Sequence, residues 1–137
     1  MMTRRTMKQI TYSVLLALFL MVACTSPSTS QVQQISNQDL VELMENEDLQ
    51  LIDVRTPEEV ADGFIKGAIN IDFRGADFES KIGAMDRNKP IAVYCGAGIR
   101  SGGASELLLE LGFQDIYDLS EGFSQWKEDS QPIEMTK

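Results

Sequence analysis

The sequence predicts an α/β domain with a small parallel sheet covered by helices on both faces. Two near-continuous apolar runs, residues 49–54 (LQLIDV) and 90–94 (PIAVY), read as strands buried on both sides. Between and around them lie segments with helical spacing and helix start signals, an alternation that belongs to parallel sheets. The composition agrees with this reading. The chain has 137 residues, 43% of them hydrophobic, which is one globular domain and not a disordered polymer. In such a fold the chemistry collects at the carboxyl ends of the strands.

The amino-terminal segment stands apart from the domain. Residues 1–9 carry Arg4, Arg5 and Lys8 and no acid, and residues 10–23 are largely apolar. A charged segment followed by a short apolar one is the form of an export signal. The run is shorter than the roughly 20 residues of a spanning helix. Met21-Val22-Ala23-Cys24 follows, then a Ser/Thr-rich stretch. Ala23 suits an ordinary signal-peptidase site, whereas Met21 is a poor residue two places before it. The four residues resemble the lipobox of bacterial lipoproteins, in which the Cys is lipidated and becomes the first mature residue. The resemblance implies a signal over 1–23 and a lipidated Cys24 opening a tether over 24–34. The domain then covers 35–133, exported and held at the bacterial cell envelope facing the periplasm. Release without lipid and twin-Arg export through Arg4-Arg5 both stay open.

Each element has its own signal. Ser36 is an N-cap with Asp39 three residues on, and Leu40, Leu43 and Met44 follow at helical spacing. After the first apolar run, Thr56, Pro57 and Glu59 form a cap, a first helical position and a closed capping box, and Gly63 ends that short helix. Residues 68–71 read as a strand. Residues 76–85 read as a helix burying Phe78, Ile82 and Met85, weakened by Gly83. Residues 101–111 form a helix with Ala104, Leu107, Leu108 and Leu111 on one face and Gly112 past its end. A strand over 116–119 and a short helix over 123–127 close the chain.

Charge and residue inventory exclude several functions. The net charge is −9, and loss of Arg4, Arg5 and Lys8 with the signal takes it to −12. That argues against nucleic acid as a partner. The chain has no His, so Ser–His and Cys–His pairs and His-ligated metals are out. With two Cys, there is neither a disulfide framework nor a metal cluster.

What remains points to Cys95. It follows the run 90–94 directly and precedes Gly96, Ala97, Gly98, Ile99, Arg100 and Ser101, after which a helix begins. A short Gly-containing loop at a helix start aims several backbone N–H groups one way, and Arg100 adds a positive charge. Such surroundings lower a thiol's pKa without any His. A lone Cys at a strand end is more often a small core residue; the Gly, Arg and Ser that follow it favour function.

The run Cys95-Gly96-Ala97-Gly98-Ile99-Arg100-Ser101 resembles the active-site loop of rhodanese-homology domains, Cys-x-x-Gly-x-Arg-Ser. Residues 51–59 (LIDVRTPEE), 63–71 (GFIKGAINI) and 119–126 (LSEGFSQW) resemble further segments of that family in the same order. Two positions depart from it: Phe64 stands where the family usually has His, and Glu121-Gly122 where it has Gly-Gly. The resemblance implies a rhodanese-like fold and sulfur transfer. Cys95 would take a sulfane sulfur from a small anionic donor such as thiosulfate, become a persulfide, and pass the sulfur to cyanide or a thiol. The N–H groups of residues 96–100 would stabilise the thiolate, Arg100 would hold the donor's sulfonate, and Ser101 would cap the next helix or bond the sulfur. Arg55 would pair with an acid near its strand end. Asp53, an acid inside an apolar run, would be satisfied structurally. No cofactor and no metal are implied. A persulfide carrier serving a protein acceptor is the alternative. A low-molecular-weight phosphatase or arsenate reductase is disfavoured, since those enzymes place five residues between Cys and Arg and this chain places four.

Overall fold

The computed structural model describes residues 30–135. Cys24, the signal over 1–23 and residues 24–29 of the expected tether lie outside the described residues.

Five parallel strands form one sheet in the order β1-β5-β4-β2-β3. They are β1 (Gln31–Gln34), β2 (Gln50–Asp53), β3 (Ile69–Asn70), β4 (Ile91–Tyr94) and β5 (Asp115–Leu119). The helices are α1 (Asn37–Leu43), α2 (Pro57–Ala61), α3 (Phe78–Gly83), α4 (Ile99–Glu110) and α5 (Gly122–Glu128). Among the described residues no helix is long and apolar enough to cross a membrane.

The central strand β4 is buried at all four positions, and the two-residue period of a strand divides its side chains between two cores. Ile91 and Val93 face Phe78 and Ile82 of α3 and Ala104 and Leu108 of α4. Ala92 and Tyr94 face Leu40 of α1 and Phe123 and Trp126 of α5. Burying each large apolar side chain contributes roughly 1.5–3 kcal/mol, so both helical layers are held by β4 and its neighbours. Trp126 also donates its indole N–H to the Pro132 carbonyl at 3.0 Å.

Both capping boxes form. Ser36 accepts from the Asp39 N–H while Asp39 accepts from the Ser36 N–H, and Thr56 and Glu59 do the same around Pro57.

The tether expected over 24–34 ends by residue 30, because Gln31–Gln34 is the edge strand β1, paired with β5. Three of its four residues are Gln, so side-chain pattern gives no strand signal. What holds it is backbone pairing, half-buried Val32 against the core, and the Gln34 amide donating to Asp118 at 3.0 Å. At the other end the domain runs past 133. Glu134 exchanges backbone hydrogen bonds with Phe64, N–H to O at 2.9 and 2.8 Å. The strand expected over 68–71 shrinks to two residues, and the helix over 76–85 to six.

Candidate active site

Cys95 follows β4 at the carboxyl edge of the sheet and starts the loop into α4. That helix begins at Ile99, two residues before its expected start, so Arg100 and Ser101 lie in its first turn. The early start is made by Gly98, whose φ of 88° places it in the left-handed region as N-cap. A Cβ there would collide with the Ser120 carbonyl, so this position requires glycine.

The loop wraps the sulfur in donors. The Gly98 N–H points at Cys95 Sγ at 3.1 Å, and Ser101 Oγ lies 3.8 Å from it. The Ser101 hydroxyl also reaches the Gly98 carbonyl at 3.1 Å. Burial pushes the Cys95 thiol up. The backbone N–H groups of Ser101, Ala97 and Arg100 and the Ser101 hydroxyl outweigh it, and the thiol titrates below its ordinary range.

The loop is fixed from outside by α5. The Phe123 N–H donates to the Cys95 carbonyl at 2.8 Å, and the Ser124 N–H to the Gly96 carbonyl at 3.0 Å. With its carbonyls so engaged, the loop's N–H groups turn inward to the sulfur. This close approach depends on Gly122, at φ 69°, where a Cβ would stand 2.6 Å from the Gly96 oxygen and 2.7 Å from that of Cys95. Glu121 sits at φ −75°, a conformation open to any residue, so its side chain in place of a glycine leaves the contact intact.

Arg100 lines the Cys95 cleft, but its guanidinium is engaged. It makes a bidentate ion pair with Glu59, Nη1 to Oε2 at 2.6 Å and Nη2 to Oε1 at 2.8 Å. The Arg100 bond holds the Glu59 carboxyl down at about 2, with help from the Thr56 N–H and against burial. Glu59, in sequence the capping-box residue of α2, is also a site residue through its pair with Arg100. Its chemical signal was its place in the first turn after a strand, where parallel neighbours gather their helix starts.

Asp53 and Arg55 form a buried pair beneath the loop. Arg55 Nη2 lies 2.6 Å from Asp53 Oδ2 and 2.7 Å from the Gly63 carbonyl, and Nη1 reaches the Glu59 carbonyl at 3.2 Å. Its guanidinium stacks 3.9 Å from the Phe123 ring centroid. The pair thus ties β2, α2 and α5 together without lining the Cys95 cleft.

That cleft measures about 230 Å³ and is lined by Arg74, Cys95, Ala97, Ile99 and Arg100. Cys95 is 2% exposed and forms its floor. A hollow of about 520 Å³ between β1, α1 and Tyr117 is larger, but its lining has acids and amides and neither a nucleophile nor a cation.

A profile of the rhodanese-like domain matches residues 36–129. The chain belongs to the rhodanese-like domain family. It is similar to the thiosulfate sulfurtransferase GlpE of Shewanella oneidensis, 35% identical over 99 residues that span 72% of this chain and 96% of that one. A rhodanese-related protein from Thermoplasma volcanium shares the fold with a TM-score of 0.68 at 33% identity, over 76% of this chain and 99% of that chain. The polysulfide-sulfur transferase homodimer of Wolinella succinogenes gives 0.66 at 29%, over 80% and 83%. The rhodanese-like fold and membership of a sulfurtransferase family are thereby established.

Proposed function

We propose that the protein is a sulfurtransferase that moves a sulfane sulfur from a small anionic donor such as thiosulfate to a thiophilic acceptor through a persulfide on Cys95. The observation that carries this reading is the buried thiol at the floor of a cleft, ringed by loop N–H donors that favour the thiolate. The thiolate attacks the outer sulfur of thiosulfate. The sulfur–sulfur bond breaks with its electron pair leaving as sulfite, and Cys95 carries a persulfide anion. Cyanide then attacks the terminal sulfur, thiocyanate leaves, and the thiolate is restored. The same N–H donors that hold the thiolate hold the persulfide, so the cycle needs no acid, base or cofactor. The similarity to a thiosulfate sulfurtransferase supports this donor. In this scheme Arg100 serves through position: locked to Glu59, it holds a partly neutralised guanidinium at the cleft wall.

Incubation with thiosulfate should add the mass of one sulfur atom to the peptide containing Cys95, and cyanide should remove it. Turnover that survives Cys95→Ser would overturn the assignment. A carrier that serves a protein acceptor would load from thiosulfate yet pass sulfur to cyanide slowly, and single-turnover rates separate the two. For location, we propose export and anchoring to the bacterial envelope through lipid on Cys24, on the strength of Met21-Val22-Ala23-Cys24 alone.

A further inference from the structure

We propose that Arg74 is the side chain that receives the anionic end of the sulfur donor. This rests on the sulfur-transfer reading above and moves the anion contact away from Arg100. The cleft over Cys95 has two cations in its lining, Arg74 and Arg100, and no acid. Arg100 has one N–H of each terminal nitrogen on Glu59, so its charge at the cleft is partly neutralised. Arg74 forms no ion pair among the described residues. Its planar fork suits the two oxygens of a sulfonate or carboxylate. The remaining lining is small or apolar, and Ile99 at the mouth is 88% exposed.

The chain places Arg74 there through its neighbours. The Phe73 N–H donates to the Val54 carbonyl at 3.2 Å, which ties the segment to the residue after β2. The Phe73 ring lies against Gly103 of α4, where a Cβ would come within 2.8 Å of it, and meets Phe78 edge to face at 5.1 Å. The Arg74 N–H caps onto the Asp72 carboxylate at 2.9 Å. The loop after β3 is thus pinned to the first turns of α4, with Arg74 in the lining of the Cys95 cleft. A local cation matters here because the chain is acidic overall, at −9. Charges beyond about 8 Å are screened at physiological salt, so a small anion responds to what lines the cleft.

The test needs no sulfur chemistry. Iodoacetate and iodoacetamide alkylate a thiolate with the same leaving group, but only the first is an anion. Rates are followed at the Cys95 peptide by mass in the wild-type protein, Arg74→Gln and Arg74→Lys. In Arg74→Gln the iodoacetate rate should fall about fivefold, as for loss of one partly solvated charge contact. The iodoacetamide rate should stay within about twofold, and Arg74→Lys should keep most of the iodoacetate rate. In turnover, Arg74→Gln should raise KM for thiosulfate by a similar factor with kcat little changed. An iodoacetate-to-iodoacetamide ratio equal to the wild-type one in Arg74→Gln overturns the proposal. If the ratio falls while the wild-type protein takes no sulfur from thiosulfate, the anion contact stands and the donor reading fails.

Discussion

At Cys95 two opposing effects meet, and their balance lowers the thiol's pKa. Burial disfavours a thiolate, yet three backbone N–H groups and the Ser101 hydroxyl converge on the sulfur, and bonds to a charged acceptor are the strong ones. Alkylation of Cys95 by iodoacetamide should therefore rise with pH to a plateau, with a midpoint lower than in the unfolded chain. Ser101→Ala should move that midpoint upward, and an unmoved midpoint would show that the backbone alone sets it. Glu59 titrates at about 2. A carboxyl held down in this way stabilises the fold above its ordinary range and loses that contribution as pH falls from about 4.5 toward 2, so its ion pair with Arg100 is intact wherever the thiolate reacts. Asp53 is a different case, because Arg55 is buried with it at 4% exposure. Removing one partner strands the other's charge, and Asp53→Ala should cost about 3–5 kcal/mol. Thermal unfolding should show a Tm lowered by well over 10 °C, at roughly 4–8 °C per kcal/mol; a fall of a few degrees would mean that the Gly63 and Glu59 carbonyls satisfy Arg55 unaided. Asp53 and Arg55 stand two residues apart, so their pairing was legible in sequence. Glu59 and Arg100 are 41 apart, and no local pattern announces a contact that the order of strands creates.

Among the elements, the loop and α5 act together. The first N–H groups of α5 bind the Cys95 and Gly96 carbonyls, and the sheet order brings β5, which leads into α5, beside β4, which leads into the loop. Gly122→Ala puts a methyl against both carbonyls at a positive φ. Left-handed strain and overpacking together should cost about 2–4 kcal/mol, and kcat/KM should fall at least roughly tenfold in the fraction that remains folded. Glu121→Gly, by contrast, should change stability by less than about 1 kcal/mol. Equal effects of the two would show that α5 does not shape the loop. The helix starts were readable where they rest on local bonds, as at Ser36-Asp39 and Thr56-Glu59. The start of α4 was not, because Gly98 caps it through backbone conformation and a contact with Ser120. Strand β1 escaped for a related reason: an edge strand of glutamines is held by the β5 backbone, and backbone pairing leaves no mark in side-chain pattern. Arg74 belongs with these, a loop residue brought to the thiol by the packing of Phe73 on Gly103.

On the scale of the whole molecule, the parallel sheet gives the protein two distinct ends. Gln31 begins β1 beside Asp115 at the amino edge, whereas Cys95 follows Tyr94 at the carboxyl edge. With β1 starting at residue 31, six residues separate Cys24 from the folded domain, and at full extension they span at most about 20 Å. A lipid on Cys24 would attach the domain at the amino edge of the sheet, the edge opposite the Cys95 cleft, and an orientation with that edge toward the membrane would leave the cleft open to small anions and to a protein acceptor. One acyl chain binds a membrane only marginally, so retention requires the multiple acylation of a lipoprotein cysteine. Cells expressing the wild-type protein should incorporate labelled palmitate into it and keep it in the membrane fraction. There a bulky, membrane-impermeant thiol reagent should reach Cys95 as fast as it does in detergent-released protein. Cys24→Ala should abolish labelling and retention while sulfur transfer by the purified protein is unchanged. Wild-type protein that is exported, soluble and unlabelled would mean that cleavage is not of the lipoprotein type. Labelled protein whose Cys95 is shielded in membranes would mean that the domain lies with its carboxyl edge, and not its amino edge, against the lipid.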